Sequence, residues 1–366
     1  MNNRRITQIN IAKAAGVSKT TVSLIMSGNN DQNISQDTRE RVMTIAAELG
    51  YIIPNTASNI VQMKNIGYIT PRETKDAVAE AHLADTRSGI MREIEKRGYH
   101  LLIAPHNPDA SLPEFVQQRK VEGLLVDADV DADWINRVSA HVPVVMLNGI
   151  KLFGTKADFI QSDYTSGVYK IIRHLFNLGH RRIALFGLSP IDSQYIHPRV
   201  EAYNFIMSQF NLETPDEYIS LPMRIKGDLD EVTDFAKEAL LKWSALQTPP
   251  TAVVCLNDVY ALGFLKAALY NNIHVPEDIS VAGFDNSISG EFSIPTLTTV
   301  CTLPVAVGRF AANLLFDKIS NSERQSLTVL NDVEIIIRES TGPVSNTAIN
   351  KLSGTRRNSI YSILPK

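Results

Sequence analysis

Only two cysteines, Cys255 and Cys301, stand in 366 residues, too few for a disulfide framework and without the spacing of a metal-ligand set. Cys255 sits inside an apolar run, which suits core filling. No stretch approaches the ~18 consecutive apolar residues of a membrane span. The opening Met1-Asn2-Asn3-Arg4-Arg5 leads into an amphipathic segment, not into the apolar run of a secretory signal. The chain is therefore expected to be cytoplasmic, with no membrane partner. Neither G-x-G-x-x-G after a first strand nor G-x-x-x-x-G-K-[ST] occurs, which counts against a dinucleotide or nucleotide enzyme. No motif converges a general acid and base on a reacting group, so no catalytic residue, cofactor or metal is expected.

What is present is the balance of a globular protein, 44% hydrophobic and 20% charged, in a chain long enough for two or three domains. Charge is unevenly placed. Residues 1–65 carry seven Lys and Arg against four Asp and Glu, a surplus of three, whereas the whole chain is −3. Positive charge is thus gathered in the head of the chain, where a polyanion would bind.

That head holds three helix signals. Thr7 can cap a helix whose apolar positions Ile11, Ala14 and Ala15 share a face, and Gly16 supplies the turn that stops it. Ser18 caps the next helix, and Val17 before the cap can staple onto Val22. Its outward face offers Lys19, Thr20, Thr21 and Ser23 with no acidic residue among them, a surface suited to an anion. Helix-turn-helix proteins lay such a second helix in the major groove of DNA. Ser35 caps a third helix with the stripe Val42, Ile45, Ala46 and Leu49, ended by Gly50. Residues 1–50 are therefore expected to be a headpiece. Residues 51–65 are polar, with a weak helical tendency and too little apolar surface to fold alone.

Beyond residue 65 short apolar runs alternate with helical stretches. Strands are expected at 66–70, 101–104, 123–126, 144–147, 182–186, 252–256 and 280–284. Helices are expected at 86–97, 112–120, 164–178, 199–210, 230–244 and 259–271. The alternation implies an α/β fold of βαβ units on parallel sheets, in two similar subdomains. Ligands bind at the carboxyl ends of such strands, so polar residues just beyond them are candidates. Asn148, Asn257 and Asp285 qualify, and Arg199 comes from the helix after the fourth strand-like run. Their amide, carboxylate and guanidinium groups match vicinal diols. Asp258 has the pattern of an ordinary helix N-cap.

The pattern I-A-x-x-A-G-V-S-x-x-T-V-S, then I-S-x-x-T-R-E-R-V with E-L-G-Y and P-N, resembles the lactose-repressor-type (LacI/GalR) transcription regulators. The runs from Gly179-His180-Arg181, Pro250-Thr251-Ala252, Pro276-Glu277-Asp278, Leu297-Thr298-Thr299 and Arg338-Glu339-Ser340 extend the resemblance to about residue 342. It implies a core like a periplasmic sugar-binding protein, two doubly wound halves joined by three crossovers. The halves are expected at 66–162 with 296–326 and at 163–295 with 327–342, and 343–366 as a disordered tail. Contacts to DNA are expected from Thr7, Ser18, Lys19, Thr20, Thr21, Ser23, Leu24 and Thr38, and to an effector from Asn148, Arg199, Asn257 and Asp285, of which the resemblance implies Arg199, Asn257 and Asp285. In the family the hinge wedges an apolar side chain into the minor groove, which falls on Ile60 or, one residue on, Val61.

The expected function is a homodimeric repressor of a carbohydrate uptake or catabolism operon. Its partners are a pseudo-palindromic double-stranded DNA operator and a small-molecule effector, a sugar or sugar phosphate. The alternatives are a regulator with a purine or nucleoside corepressor and a sugar receptor without a DNA role. The sequence departs from the family pattern at Leu24 in place of Arg, at the loop 71–76, at Ala202 and at Cys301. The tail has four basic residues, no acidic one and no leucine heptad, which favours a dimer over a tetramer.

Overall fold

The computed structural model describes residues 7–26, 34–48, 64–72, 77–110, 112–149, 151–187, 198–222 and 229–345. Ile60, Val61 and the rest of 51–63, Leu49 and Gly50, the loop 73–76 and the tail from 346 onward lie outside the described residues. The chain divides into two compact units, Met1–Lys64 and Asn65–Lys366.

In the first unit α1 (Gln8–Ala15), α2 (Lys19–Met26) and α3 (Gln36–Glu48) close one small core. Ile11, Val22 and Val42 are its fully enclosed members, and Val17 packs on the same cluster. The Thr7 N–H donates to Asn10 Oδ1 at 2.9 Å at the start of α1. Gly16 ends the helix at φ 67°, in the left-handed region where a Cβ would be strained. Ala14 does not belong to the buried stripe: it is exposed, and Ala12 takes the place beside Ile11 and Ala15. At 100° per residue the adjacent position 12 faces the core as well as 11 and 15 do.

The second unit opens with β1 (Asn65–Thr70), α4 (Ala77–Glu95), β2 (His100–Pro105), α5 (Glu114–Gln117), β3 (Gly123–Val126), α6 (Ala132–Ser139), β4 (Val144–Leu147) and β5 (Asp158–Ser162). The second half runs through α7 (Tyr164–Asn177), β6 (Ile183–Phe186), α8 (Pro198–Gln209), β7 (Ile219–Ser220), α9 (Leu229–Ser244), β8 (Ala252–Cys255), α10 (Asp258–Tyr270), β9 (Ser280–Phe284), α11 (Ile288–Glu291) and β10 (Thr298–Cys301). Then come α12 (Pro304–Ser320), β11 (Thr328–Asn331) and β12 (Glu334–Ile336). The helix expected at 112–120 is a single turn, and α4 starts well before residue 86.

The strands form two sheets in the orders β2-β1-β3-β4-β5-β11 and β7-β6-β8-β9-β10-β12, parallel except for the pairing of β12 with β10. This is one doubly wound order used twice. In each sheet the order reverses beside the first strand, between β1 and β3 and between β6 and β8, which leaves a crevice at the carboxyl ends there. Helices cover both faces of each sheet over separate apolar layers. On one face of the first sheet α4 and α12 cross in close contact. A Cβ on Gly308 would lie 2.0 Å from the Thr86 carbonyl oxygen, and one on Gly89 2.1 Å from that of Val305.

The crossovers differ from the expected 295 and 327. Thr298–Cys301 pairs with β9 in the second sheet and Thr328–Asn331 with β5 in the first. The chain therefore crosses after Ser162, after Cys301 and after Asn331. Hydrogen bonds made by β10 and β11, not local sequence, set the boundaries. The three connections lie side by side: Ser162 Oγ donates to Thr302 O at 2.7 Å, Asp163 N to Asn331 O at 2.8 Å, and Ser166 Oγ to Asp332 Oδ1 at 3.0 Å.

Candidate functional site

Two sets of residues carry the chemistry, one in each unit. In the first unit the Ser18 Oγ accepts the Thr21 N–H at 3.0 Å and lies 2.8 Å from Thr21 Oγ1, so both hydroxyls serve the start of α2. Thr38 is engaged in the same way with Ser35, which accepts its N–H at 3.3 Å and lies 2.8 Å from its hydroxyl. Lys19, Thr20 and Ser23 are exposed on the outer face of α2. Leu24 is half-buried beside them and is not a member of the buried cluster that holds Val22, Ile25 and Met26. The turn Gly16–Ser18 thus sets the start of α2 and leaves Lys19, Thr20 and Ser23 exposed.

The second set lies where the two halves of the second unit face each other. Arg199, in the first turn of α8, is 7% exposed. Its Nη2 donates to Asp285 Oδ1 at 3.0 Å and its Nη1 to the Leu256 carbonyl. The guanidinium lies 4.6 Å from the ring centroids of both Tyr164 and Phe284. Burial works against its charge, but Asp285 and Tyr164 outweigh that and raise its pKa. Asp285 has φ 104° and Asn286 φ 52°, so the turn after β9 is held in backbone conformations that side chains seldom adopt.

The cap expected at Asp258 falls one residue earlier. The N-cap of α10 is Asn257, whose Oδ1 accepts the Tyr260 N–H at 2.9 Å. Asp258 is fully enclosed, accepting the Thr299 hydroxyl and the Ser287 N–H, each at 2.6 Å. Burial first, then the nearby Asp285 charge, pushes its pKa up to about 7. The cap needs β-region backbone just outside the helix, and Asn257 has it at φ −155°, ψ 177°.

On the first half Asn148 follows β4 at φ 53°, with its Nδ2 3.3 Å from Asp127 Oδ2. Its Oδ1 is buried without a partner. Asp127, just after β3, also accepts the Tyr68 hydroxyl at 3.0 Å. Burial raises the Asp127 pKa to about 6, while those two hydrogen bonds oppose the rise. Burial, then Asp127, raises that of Tyr68. The walls are close enough to feel each other's charge. His82 on α4 is lowered by burial, with Asp285 and Arg199 of the other half acting on it, and Tyr164 senses Asp127.

Of the expected effector residues, Arg199 and Asp285 are directly joined, Asn257 caps α10 through its Oδ1, and Asn148 lies on the facing wall. Tyr68, His82, Asp127 and Tyr164 were not singled out by sequence reasoning. Asp127 was within reach of the rule that found Asn148, since it too is the polar residue just beyond an apolar strand. His82 and Tyr164 had no such local signal.

Comparison with known proteins bears on both sets. Residues 9–55 match the model of bacterial regulatory proteins of the lacI family, and residues 172–341 that of a periplasmic binding protein-like domain. The chain is 26% identical to the HTH-type transcriptional repressor PurR of Mannheimia succiniciproducens, over 92% of this chain and 98% of that protein. It is 28% identical to the HTH-type transcriptional repressor CytR of Escherichia coli, over 92% of this chain and 96% of that one. Among solved structures, the lac repressor dimer bound to operator and the anti-inducer ONPF superposes with a TM-score of 0.71 at 23% identity, covering 93% of this chain and all of that one. The complex of the transcriptional regulator CelR with cellobiose does so at 0.64 and 23% identity, over 92% and 100%.

Proposed function

The chain belongs to the lacI family of bacterial regulatory proteins, and from this we propose that it is a cytoplasmic, homodimeric repressor whose grip on a pseudo-palindromic operator is set by a sugar bound between the halves of its second unit. The observation that carries the effector reading is the pair of facing walls, Arg199 with Asp285 on one and Asp127 with Asn148 on the other. Planar carboxylate, amide and guanidinium groups grip hydroxyls two at a time. The unpartnered Asn148 Oδ1 supplies an acceptor that a hydroxyl satisfies.

Lys19, Thr20, Ser23 and Leu24 would read bases or touch phosphates from α2, with Thr7, Ser18, Thr21 and Thr38 fixing the helix ends against the backbone. Ile60, or Val61 in the other register, would wedge into the operator centre. A second copy would cover the exposed Ile288, Phe292 and Ile294 beyond β9. A ligand bridging both walls favours one arrangement of the halves, and can shift operator affinity only by its differential affinity for the two states, typically ~1–3 kcal/mol.

A purine or nucleoside corepressor is the second reading. One measurement separates them. Thermal shift against ribose, cellobiose, sugar phosphates, nucleosides and purine bases is followed by operator binding with each stabilising compound. A sugar that raises the melting temperature and weakens operator binding supports the first reading. A nucleoside or base that strengthens it supports the second. Stabilisation by neither class would refute the cleft assignment.

A further inference from the structure

The helices on one face of the second sheet carry an aromatic strip. On α7, Tyr169, Arg173 and Phe176 stand at i, i+4 and i+7 and so share a side, while Val168, Ile171, Ile172 and Leu175 turn inward to the sheet. Phe210, just beyond α8, completes the strip, its ring centroid 5.9 Å from that of Tyr169 and 5.1 Å from that of Phe176. Two guanidinium groups lie over the rings: Arg173 Cζ is 5.1 Å from the Tyr169 centroid, and Arg181 Cζ 3.6 Å from that of Phe176. Tyr169 is 38% exposed and Arg173 is exposed beside it. Rings and arginines are the side chains that protein contacts favour.

The described chain leaves the second unit beside this strip. Val344 N–H donates to Leu178 O at 3.0 Å, two residues beyond Phe176, and a Cβ on Gly179 would lie 2.8 Å from Val344 Cγ1. The described residues run to Ser345, and Ile360 follows fifteen residues later. There Ile360, Tyr361, Ile363 and Leu364 place four apolar side chains in five residues, after the basic Lys351, Arg356 and Arg357. A flexible chain of fifteen residues spans about 20 Å r.m.s.. From Leu178 back to Tyr169 is about 14 Å at 1.5 Å per residue. The apolar segment therefore reaches the whole strip without being stretched.

We propose that this strip is the docking place of the chain's own carboxy-terminal segment, which lays Ile360, Tyr361, Ile363 and Leu364 on Tyr169, Phe176 and Phe210. Apolar surface leaves water on both sides of the contact, and the Tyr361 ring can stack on the exposed Arg173 guanidinium. The tether matters as much as the surface. It holds the segment near the strip at a high effective concentration, and so spares the cost of bringing two molecules together. A second copy is the poorer occupant, because a stable interface between proteins takes about 20–30 residues a side, far more than this strip offers.

The test uses the full-length protein with the photo-reactive p-benzoylphenylalanine in place of Tyr169. The control carries the probe in place of Tyr270, which is 61% exposed on α10, over the other face of the second sheet. After irradiation and digestion, mass spectrometry should find the probe at 169 joined to residues 358–366, the piece that trypsin releases after Arg357. The probe at 270 should join that piece at least about 10-fold less, since only the strip concentrates it. Trypsin also reports without a probe. On the native protein, cleavage after Arg357 should be about 3-fold faster in Tyr169→Ser than in wild type, because it follows the undocked population, and unchanged in Tyr270→Ser. Equal joining from 169 and 270, a joined product of twice the chain mass, or a Tyr169→Ser cleavage rate equal to wild type would overturn the docking. Each of these readouts is independent of any sugar bound in the cleft.

Discussion

Arg199 and Asp285 form a largely enclosed ion pair, Nη2 to Oδ1 at 3.0 Å, with the guanidinium set between the rings of Tyr164 and Phe284. The pair therefore holds the second half together as well as facing the cleft. Removing one partner leaves the other charge buried and uncompensated. Asp285→Ala is expected to cost about 3 kcal/mol of stability in urea unfolding. Asp285→Asn, which keeps an acceptor of the same shape, should cost less. Both should weaken binding of the stabilising sugar at least about 10-fold by calorimetry, the loss of one charged hydrogen bond. Equal stability of Asp285→Ala and wild type would show that the pair carries no structural load.

The crossing of α4 and α12 sets a second expectation. A methyl at Gly308 would meet the backbone of Thr86 at 2.0 Å, and backbone cannot swing aside as a side chain can. Gly308→Ala should lower stability by about 1–3 kcal/mol. Gly149→Ala is the control, since its Cβ would meet nothing nearer than Leu147 O at 3.8 Å. A Gly308→Ala variant as stable as the Gly149→Ala control would mean that the helices part without loss.

Two buried groups give the stability curve opposite slopes. Asp258 has its pKa raised by burial to about 7, so the folded state keeps its proton where the unfolded chain has released it. Its contribution is present below the unfolded carboxylate range and is lost as pH rises toward 7. Asp258→Asn should remove that loss, flattening the difference between pH 5 and pH 8 by on the order of 3 kcal/mol. His180 is lowered by burial and sits among Thr251 Oγ1 at 2.9 Å, Gly342 O at 3.0 Å and Ser280 Oγ at 3.1 Å. The unfolded chain takes up a proton there first, so stability falls as pH drops below about 6.5. Urea titrations across this range test both slopes, and an Asp258→Asn curve parallel to wild type would contradict the first.

Leu24 bears on operator choice. A leucine touches a thymine methyl, whereas arginine grips guanine bidentately. Leu24→Arg is expected to shift base preference at one position per half-site by ~1–3 kcal/mol, read from a selected-sequence binding profile. An unchanged profile would place the side chain against the headpiece.

The sequence by itself determined what depends on neighbours a few residues away. Ser18 and Ser35 as caps, Gly16 as the left-handed stop, and the alternation of apolar runs with amphipathic helices were all legible, because capping bonds and burial periodicity span one or two helical turns. Ala14 shows the limit even there, since periodicity cannot choose between adjacent positions when the core is small. Only the tertiary structure decided the rest. β5 hides behind Asp158, a carboxylate at its first position, fully buried only because Lys318 and Arg324 reach it across 160 and 166 residues of chain. The crossovers were misplaced because backbone hydrogen bonds, of β10 to β9 and of β11 to the remote β5, choose the sheet each strand joins. The same holds at the cleft: Asp127 acquires its raised pKa, and Asn148 its unpartnered oxygen, only where strands remote in sequence bring Tyr68 and apolar walls around them. Charge pairing, desolvation and strand order are properties of groups the chain brings together, and no window of sequence contains both partners.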